Sequence, residues 1–158
     1  MLFRSPEAVD RLVLADTGHA ATPEGAAQWA ERIRMAEAGG MAALVEPTLA
    51  RWFTEDFRRN APGAVARVGE MIRTTPLEGF KGCANALMTA NFTARLKDIR
   101  CPSLAIAGEQ DASAPTTRYL GANIPGARTV MIPGAAHISN VERPDAFTRA
   151  LREFLRAG

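Results

Sequence analysis

The apolar positions of this chain follow two rhythms. Between about residue 22 and residue 90 they recur every three or four places, as helices demand, whereas toward either end they come in short unbroken runs. Arg11-Leu12-Val13-Leu14-Ala15-Asp16-Thr17 reads as a strand entering a turn, preceded at Ser5-Pro6-Glu7-Ala8-Val9-Asp10 by the end of a short helix. Cys101-Pro102-Ser103-Leu104-Ala105-Ile106-Ala107-Gly108, punctuated by Pro and Gly, fits a buried strand of a parallel sheet. Ser113-Ala114-Pro115 opens a helix running to Leu120, with Pro115 in the first turn, where a missing N–H costs nothing. Ala127-Arg128-Thr129-Val130-Met131-Ile132 is a further strand, stopped by Pro133-Gly134. Pro144-Asp145 then begins a last helix, with Phe147, Ala150, Leu151, Phe154 and Leu155 on the face toward the sheet and Arg149, Arg152 and Arg156 on the other.

The middle of the chain predicts four helices. Thr22-Pro23-Glu24 supplies a capping hydroxyl, a proline at the first position and an acid facing the dipole. Ala26, Trp29, Ile33 and Ala36 form one apolar face, which Gly39-Gly40 ends. Met41, Leu44 and Val45 make a shorter helix broken near Pro47. Thr54-Glu55-Asp56 and Thr75-Pro76-Leu77-Glu78 each start another, the latter carrying Phe80, Ala84, Leu87 and Met88 on one side. The expectation is therefore an α/β core from residues 1–20 and 91–158, with about three parallel strands, interrupted by a helical insertion over residues 21–90.

A strand, a helix and a second strand form a right-handed crossover, so both strand ends open on the same side of the sheet. Asp111 and His137, each just beyond such an end, should emerge side by side. A carboxylate accepting a hydrogen bond from one imidazole nitrogen fixes the tautomer and leaves the other nitrogen able to take a proton. Asp16 and His19 make a competing pair after the first strand. Asp16 could orient His137 instead, although it more readily braces a turn.

The residues permit a sharper comparison. Leu104-Ala105-Ile106-Ala107-Gly108-Glu109-Gln110-Asp111, followed by Ile132-Pro133-Gly134-Ala135-Ala136-His137-Ile138-Ser139-Asn140-Val141-Glu142-Arg143-Pro144, resembles the acid and histidine blocks of α/β-hydrolases. Residues 137–147, and residues 47–57 with Arg51-Trp52-Phe53-Thr54 at their centre, look most like 3-oxoadipate enol-lactonases. The resemblance implies a partial α/β-hydrolase fold in which the first strand corresponds to the sixth of eight and the helical insertion to the lid. It also implies that the five earlier strands, and the Gly-x-Ser-x-Gly turn that carries the nucleophile, lie outside this sequence. The serines present are Ser5, Ser103, Ser113 and Ser139, none in such a turn, and Lys81-Gly82-Cys83-Ala84-Asn85 lacks the flanking glycines of a cysteine elbow. Cys83 is therefore expected as a core thiol.

By the same resemblance His137 and Asp111 are the catalytic residues of an ester or lactone hydrolase that needs no cofactor and no metal. Trp52, Phe53 and Met88, with Trp29, would line an apolar pocket above the histidine. His19 would touch substrate at its mouth, and Arg51 or Lys81 would meet an acidic group. The partners expected are a small-molecule ester or lactone and either a second copy or a complementing N-terminal chain. Two other readings stay open: a catalytically dead interaction module pairing through the edge of its first strand, and a piece of a dehalogenase or epoxide hydrolase relative.

Composition narrows the partners. The 158 residues are 47% apolar with a formal net charge of +2 and no basic block, which argues against nucleic acid and anionic membrane. Two cysteines make neither a disulfide frame nor a metal site. No apolar stretch of about 18 residues occurs and the start lacks a signal peptide's core, so a cytoplasmic location is expected.

Overall fold

The computed structural model describes residues 2–157. A parallel sheet of three strands runs in the order β1 (Leu12–Ala15), β2 (Ser103–Gly108), β3 (Arg128–Ile132). Every residue of β2 is buried, as a strand covered on both faces requires. Alternation divides its side chains between two clusters. Ala105 packs with Leu96, Ile99, Leu120 and Ile124, while Leu104 and Ile106 pack with Ile132, Ala135 and Phe154. Leu120 belongs to α6 (Ala114–Asn123), the crossover helix, and Phe154 to α8 (Pro144–Arg156). Each such Leu, Ile or Phe contributes about 1.5–3 kcal/mol by leaving water. Leu155, expected on the buried face of α8, is half exposed, because one residue beyond Phe154 the helix has turned about 100° away. β1 has β2 as its one neighbour among the described residues.

Ala20–Asn91 is a second compact unit inserted between β1 and β2. Its ends meet in a short antiparallel bridge, where the Ala21 N–H donates to the Ala90 carbonyl at 2.7 Å. The unit contains α1 (Pro23–Gly39), α2 (Val45–Trp52), α3 (Glu55–Asn60), α4 (Pro62–Thr74) and α5 (Leu77–Thr89). Thr22 caps α1 by accepting from the Gly25 N–H at 3.0 Å, and Thr54 caps α3 by accepting from Phe57.

Five helices replace the four expected, and two prolines explain the difference. Pro47 does not break its helix: it lies in the first turn of α2, where the amide it lacks would have had no partner. Pro62, overlooked in the sequence, opens α4 and drives Ala61 out of the helical region (φ −131°, ψ 51°).

Two further expectations fail in this unit. Cys83 is exposed rather than buried, because its neighbour Ala84 takes the inward position of α5. Lys81 is held by Glu37 at 2.8 Å and Glu78 at 3.3 Å, so it is not a cation awaiting a ligand. No helix among the described residues is long and apolar enough to cross a membrane.

Candidate active site

Gly108 ends β2, and the loop behind it is pinned to the loop after β3. The Glu109 N–H donates to the Ile132 carbonyl and the Gln110 N–H to the Ala135 carbonyl, both at 3.0 Å. A Cβ on Gly108 would run into the carbonyl oxygens of Ala135 and Ala136, so only glycine allows the two loops this approach. Asp111 and His137 meet across the junction. The His137 Nδ1 lies 3.2 Å from Oδ1 and 3.1 Å from Oδ2 of Asp111. The Asp111 side chain is 3% exposed and that of His137 34%, so the carboxylate is sequestered while the imidazole reaches the surface.

The Ser113 hydroxyl also donates to Asp111. Burial pushes the Asp111 carboxyl upward, but the bonds from His137 and Ser113 outweigh it and hold the group below the usual carboxylate range.

The histidine loop has its own frame. Glu142, 3% exposed, accepts the Ala136 N–H, and the short helix α7 (Ser139–Glu142) follows. Asp16 closes the arrangement from β1: its carboxylate accepts from the Gly108 N–H at 3.0 Å and from the Ser139 hydroxyl at 2.7 Å. One side chain thus joins the ends of β1 and β2 to the histidine loop. It does so from a left-handed backbone (φ 47°), a conformation that aspartate tolerates better than most residues. Burial raises the Asp16 pKa despite those two hydrogen bonds. Of the two acids considered for His137, Asp111 makes the bidentate approach to the imidazole, and Asp16 serves Gly108 and Ser139.

The opposite shifts of these acids give a testable pH dependence. Asp111, with a lowered folded pKa, contributes stability that is present above its unfolded value of about 3.9 and is lost as pH falls through the folded value. Asp16, with a raised one, contributes stability below about 3.9 that is lost as pH rises through its folded value. Urea midpoints of Asp111→Asn should therefore lie below those of the unsubstituted chain at about pH 6, with the gap narrowing as the pH falls below about 3.9. A gap independent of pH would refute the assignment.

The other expected site residues scatter. His19 lies in the sheet-bearing unit, stacked on Tyr119 (centroids 4.5 Å apart), and lines an apolar cavity of about 400 Å³ with Leu2, Phe3, Leu12, Leu14 and Phe92. Its buried Nδ1 has no hydrogen-bond partner among the described residues. In the helical unit, Arg51, Trp52 and Trp29 share the wall of a cavity of about 170 Å³. Phe53 does not: it is 2% exposed and stacks on Phe57 at 5.2 Å, because the chain leaves α2 there in extended form and turns the ring into the core. Met88 is half-buried on α5, and Leu87 rather than Met88 lines the cavity.

Sequence reasoning missed the roles of Ser139 and Glu142. Their place two and five residues beyond the histidine was the available signal.

No protein-family model matches the chain. Over 154 residues it is 30% identical to 3-oxoadipate enol-lactonase 2 of Acinetobacter baylyi, covering 96% of this chain and 56% of that protein. It is 32% identical over 166 residues to a Klebsiella pneumoniae protein named as a carbamate hydrolase, RutD, covering 96% and 59%. Among solved structures, the enol-lactonase from Burkholderia xenovorans LB400 superposes with a TM-score of 0.91 at 33% identity, covering 98% of this chain and 59% of that one. The chain thus spans a little over half the length of the proteins it matches.

Proposed function

This chain belongs to the α/β-hydrolase fold family, and on that premise we propose that it supplies the histidine and the orienting acid of a hydrolytic triad acting on a carboxylic ester or lactone. The observation that carries the reading is the bidentate approach of Asp111 to His137 Nδ1 at 3.1–3.2 Å, at the carboxyl ends of two adjacent parallel strands. Ligand chemistry in open parallel sheets gathers at such ends. With Nδ1 turned to Asp111, Nε2 is the nitrogen that exchanges protons with substrate.

The steps follow from that geometry. A serine hydroxyl attacks the carbonyl carbon and its proton passes to His137 Nε2. The imidazolium, stabilised by Asp111, then protonates the departing oxygen. Water repeats the sequence on the acyl-serine, with His137 first taking and then returning the proton. Asp111 is a positioning residue here, and Asp16 with Ser139 positions the loop behind it. The serine comes from outside this sequence, on a Gly-x-Ser-x-Gly turn.

Similarity to enol-lactonases supports a lactone as substrate. The likeness to RutD favours a carbamate as the second reading, since the same acyl chemistry opens both.

The test is reconstitution. Co-expressed with an α/β-hydrolase N-terminal half carrying the serine turn, the chain should yield an esterase or lactonase that neither part provides alone. Substituting His137→Asn should remove that activity by about 10⁶-fold. Reconstituted turnover indifferent to His137→Asn would overturn the proposal.

A further inference from the structure

We propose that Asp16 is a positioning residue of the same site and works as a proton-operated latch on the histidine loop, an inference that rests on the hydrolytic reading of His137. Ionised, Asp16 holds that loop against the end of β2. A proton on its carboxyl lets the loop slacken.

Two donors converge on this side chain from different elements. The Gly108 N–H, at the end of β2, reaches Oδ1 at 3.0 Å, and the Ser139 hydroxyl, two residues beyond His137, reaches Oδ2 at 2.7 Å. A carboxylate is acceptor-only and serves both, whereas a protonated acid or an amide must turn a donor of its own toward one of them. Ser139 is fully buried, so a hydroxyl turned away from Asp16 gives up its acceptor in a place screened from solvent.

The fold keeps this arrangement against its own preference. Asp16 is the one non-glycine residue with a positive φ among the described residues, and its N–H is fixed to the Ile106 carbonyl at 2.8 Å. Such conformations persist where the surroundings over-determine them, and they gather at functional sites. Charge of both signs faces Asp16: Asp111 from the loop after β2 and His137 from the loop after β3. The Glu142 carboxylate of α7 is turned to the Ala136 N–H. Burial pushes the Asp16 carboxyl above its ordinary value, and the bonds from Ser139 and Gly108 offset this only in part. The ionised form is thus the less favourable one for the fold and the one that completes the site. A carboxylate kept for stability alone would show the reverse.

Nuclear magnetic resonance of the unsubstituted chain gives the first test. Titrated from about pH 7 to about pH 3, the Gly108 amide resonance should move as Asp16 takes up its proton, with a midpoint above the ordinary aspartate value of about 3.9. The amides of residues 136–139 should move with it, and Asp111 should give a separate step at lower pH. Ser139→Ala removes one bond that favours the carboxylate, so the Gly108 midpoint should shift to still higher pH. Asp16→Asn keeps the shape, accepts the left-handed backbone and cannot ionise. Its urea midpoint, relative to that of the parent, should rise as the pH climbs above about 3.9. A Gly108 amide that titrates while residues 136–139 stay still would overturn the proposal. So would a urea difference that shrinks with rising pH, or an Asp16→Asn chain that does not fold, since either makes the carboxylate a prop of the fold. The hydrolytic reading fails separately, when reconstituted turnover ignores His137→Asn while the Gly108 and loop amides still move together.

Discussion

Purified alone, these 158 residues should hydrolyse an activated ester such as p-nitrophenyl acetate about a million-fold more slowly than a complete serine hydrolase, and without a burst. A factor of that size is about 8 kcal/mol of barrier. The reason lies in where the hydroxyls are committed. Ser103 opens β2 and donates to the Cys101 carbonyl at 2.9 Å, Ser113 donates to Asp111, and Ser139 donates to Asp16. Ser5 precedes a short 3₁₀ turn far along the chain from the histidine. None stands on a tight Gly-x-Ser-x-Gly turn that would aim it at a substrate carbonyl. His137 retains the means to activate water, but positioning and binding without a nucleophile sustain only about 10³–10⁴-fold over the uncatalysed rate in triad enzymes. Stopped-flow release of nitrophenolate checks both parts. A stoichiometric burst, or turnover near that of an intact esterase, would mean that a group in this chain attacks.

Replacing one hydrogen by a methyl at the end of β2 should have the largest structural effect. Gly108→Ala sets a Cβ against the carbonyl oxygens of Ala135 and Ala136, and backbone oxygens cannot swing aside as a side chain can. The Ala135 oxygen already accepts from Gln110, and the Ala136 amide is tied to Glu142. Relief therefore requires moving the loop that carries His137. Overpacking of this kind costs about 3 kcal/mol or more when the obstacle is rigid. Urea unfolding followed by circular dichroism measures it, with Gly82→Ala as the control. Gly82 lies on α5 with nothing within 4 Å of its added methyl, and alanine there should stabilise by about 0.5–1 kcal/mol. A Gly108→Ala chain as stable as its parent would show that the two loops are not rigidly joined. In the reconstituted enzyme the same change should lower activity even where the chain stays folded, since a displacement of about 1 Å can cost about a hundredfold.

The legible parts of this molecule were those in which neighbours in sequence are neighbours in function. Strand, turn, helix, strand and turn lie contiguously from residue 101 to residue 137, so the crossover rule alone brought Asp111 to His137. The Thr22 cap was legible for the same reason, since it closes over three residues. What escaped was set by distance along the chain or by rotation about a helix. Asp16 reaches Ser139 across 123 positions, and no local pattern announces such a contact. Cys83 and Ala84, or Trp52 and Phe53, differ by a single step of helix or turn, yet one of each pair is fully buried and the other keeps contact with solvent. Lys81 looked like a free cation because Glu37, its nearer counter-charge, sits on a different helix. The second helix break hid in Pro62, which acts on the residue before it rather than on its own turn.

The outer margin of β1 sets how the chain behaves in company. Leu12–Ala15 hydrogen-bond β2 along one flank, and among the described residues no strand takes up the other. Main-chain groups left in that state recruit whatever backbone drifts alongside, with little regard for side-chain identity. For these 158 residues purified alone, the expected consequence is pairing that grows with concentration, which sedimentation velocity at rising loading checks.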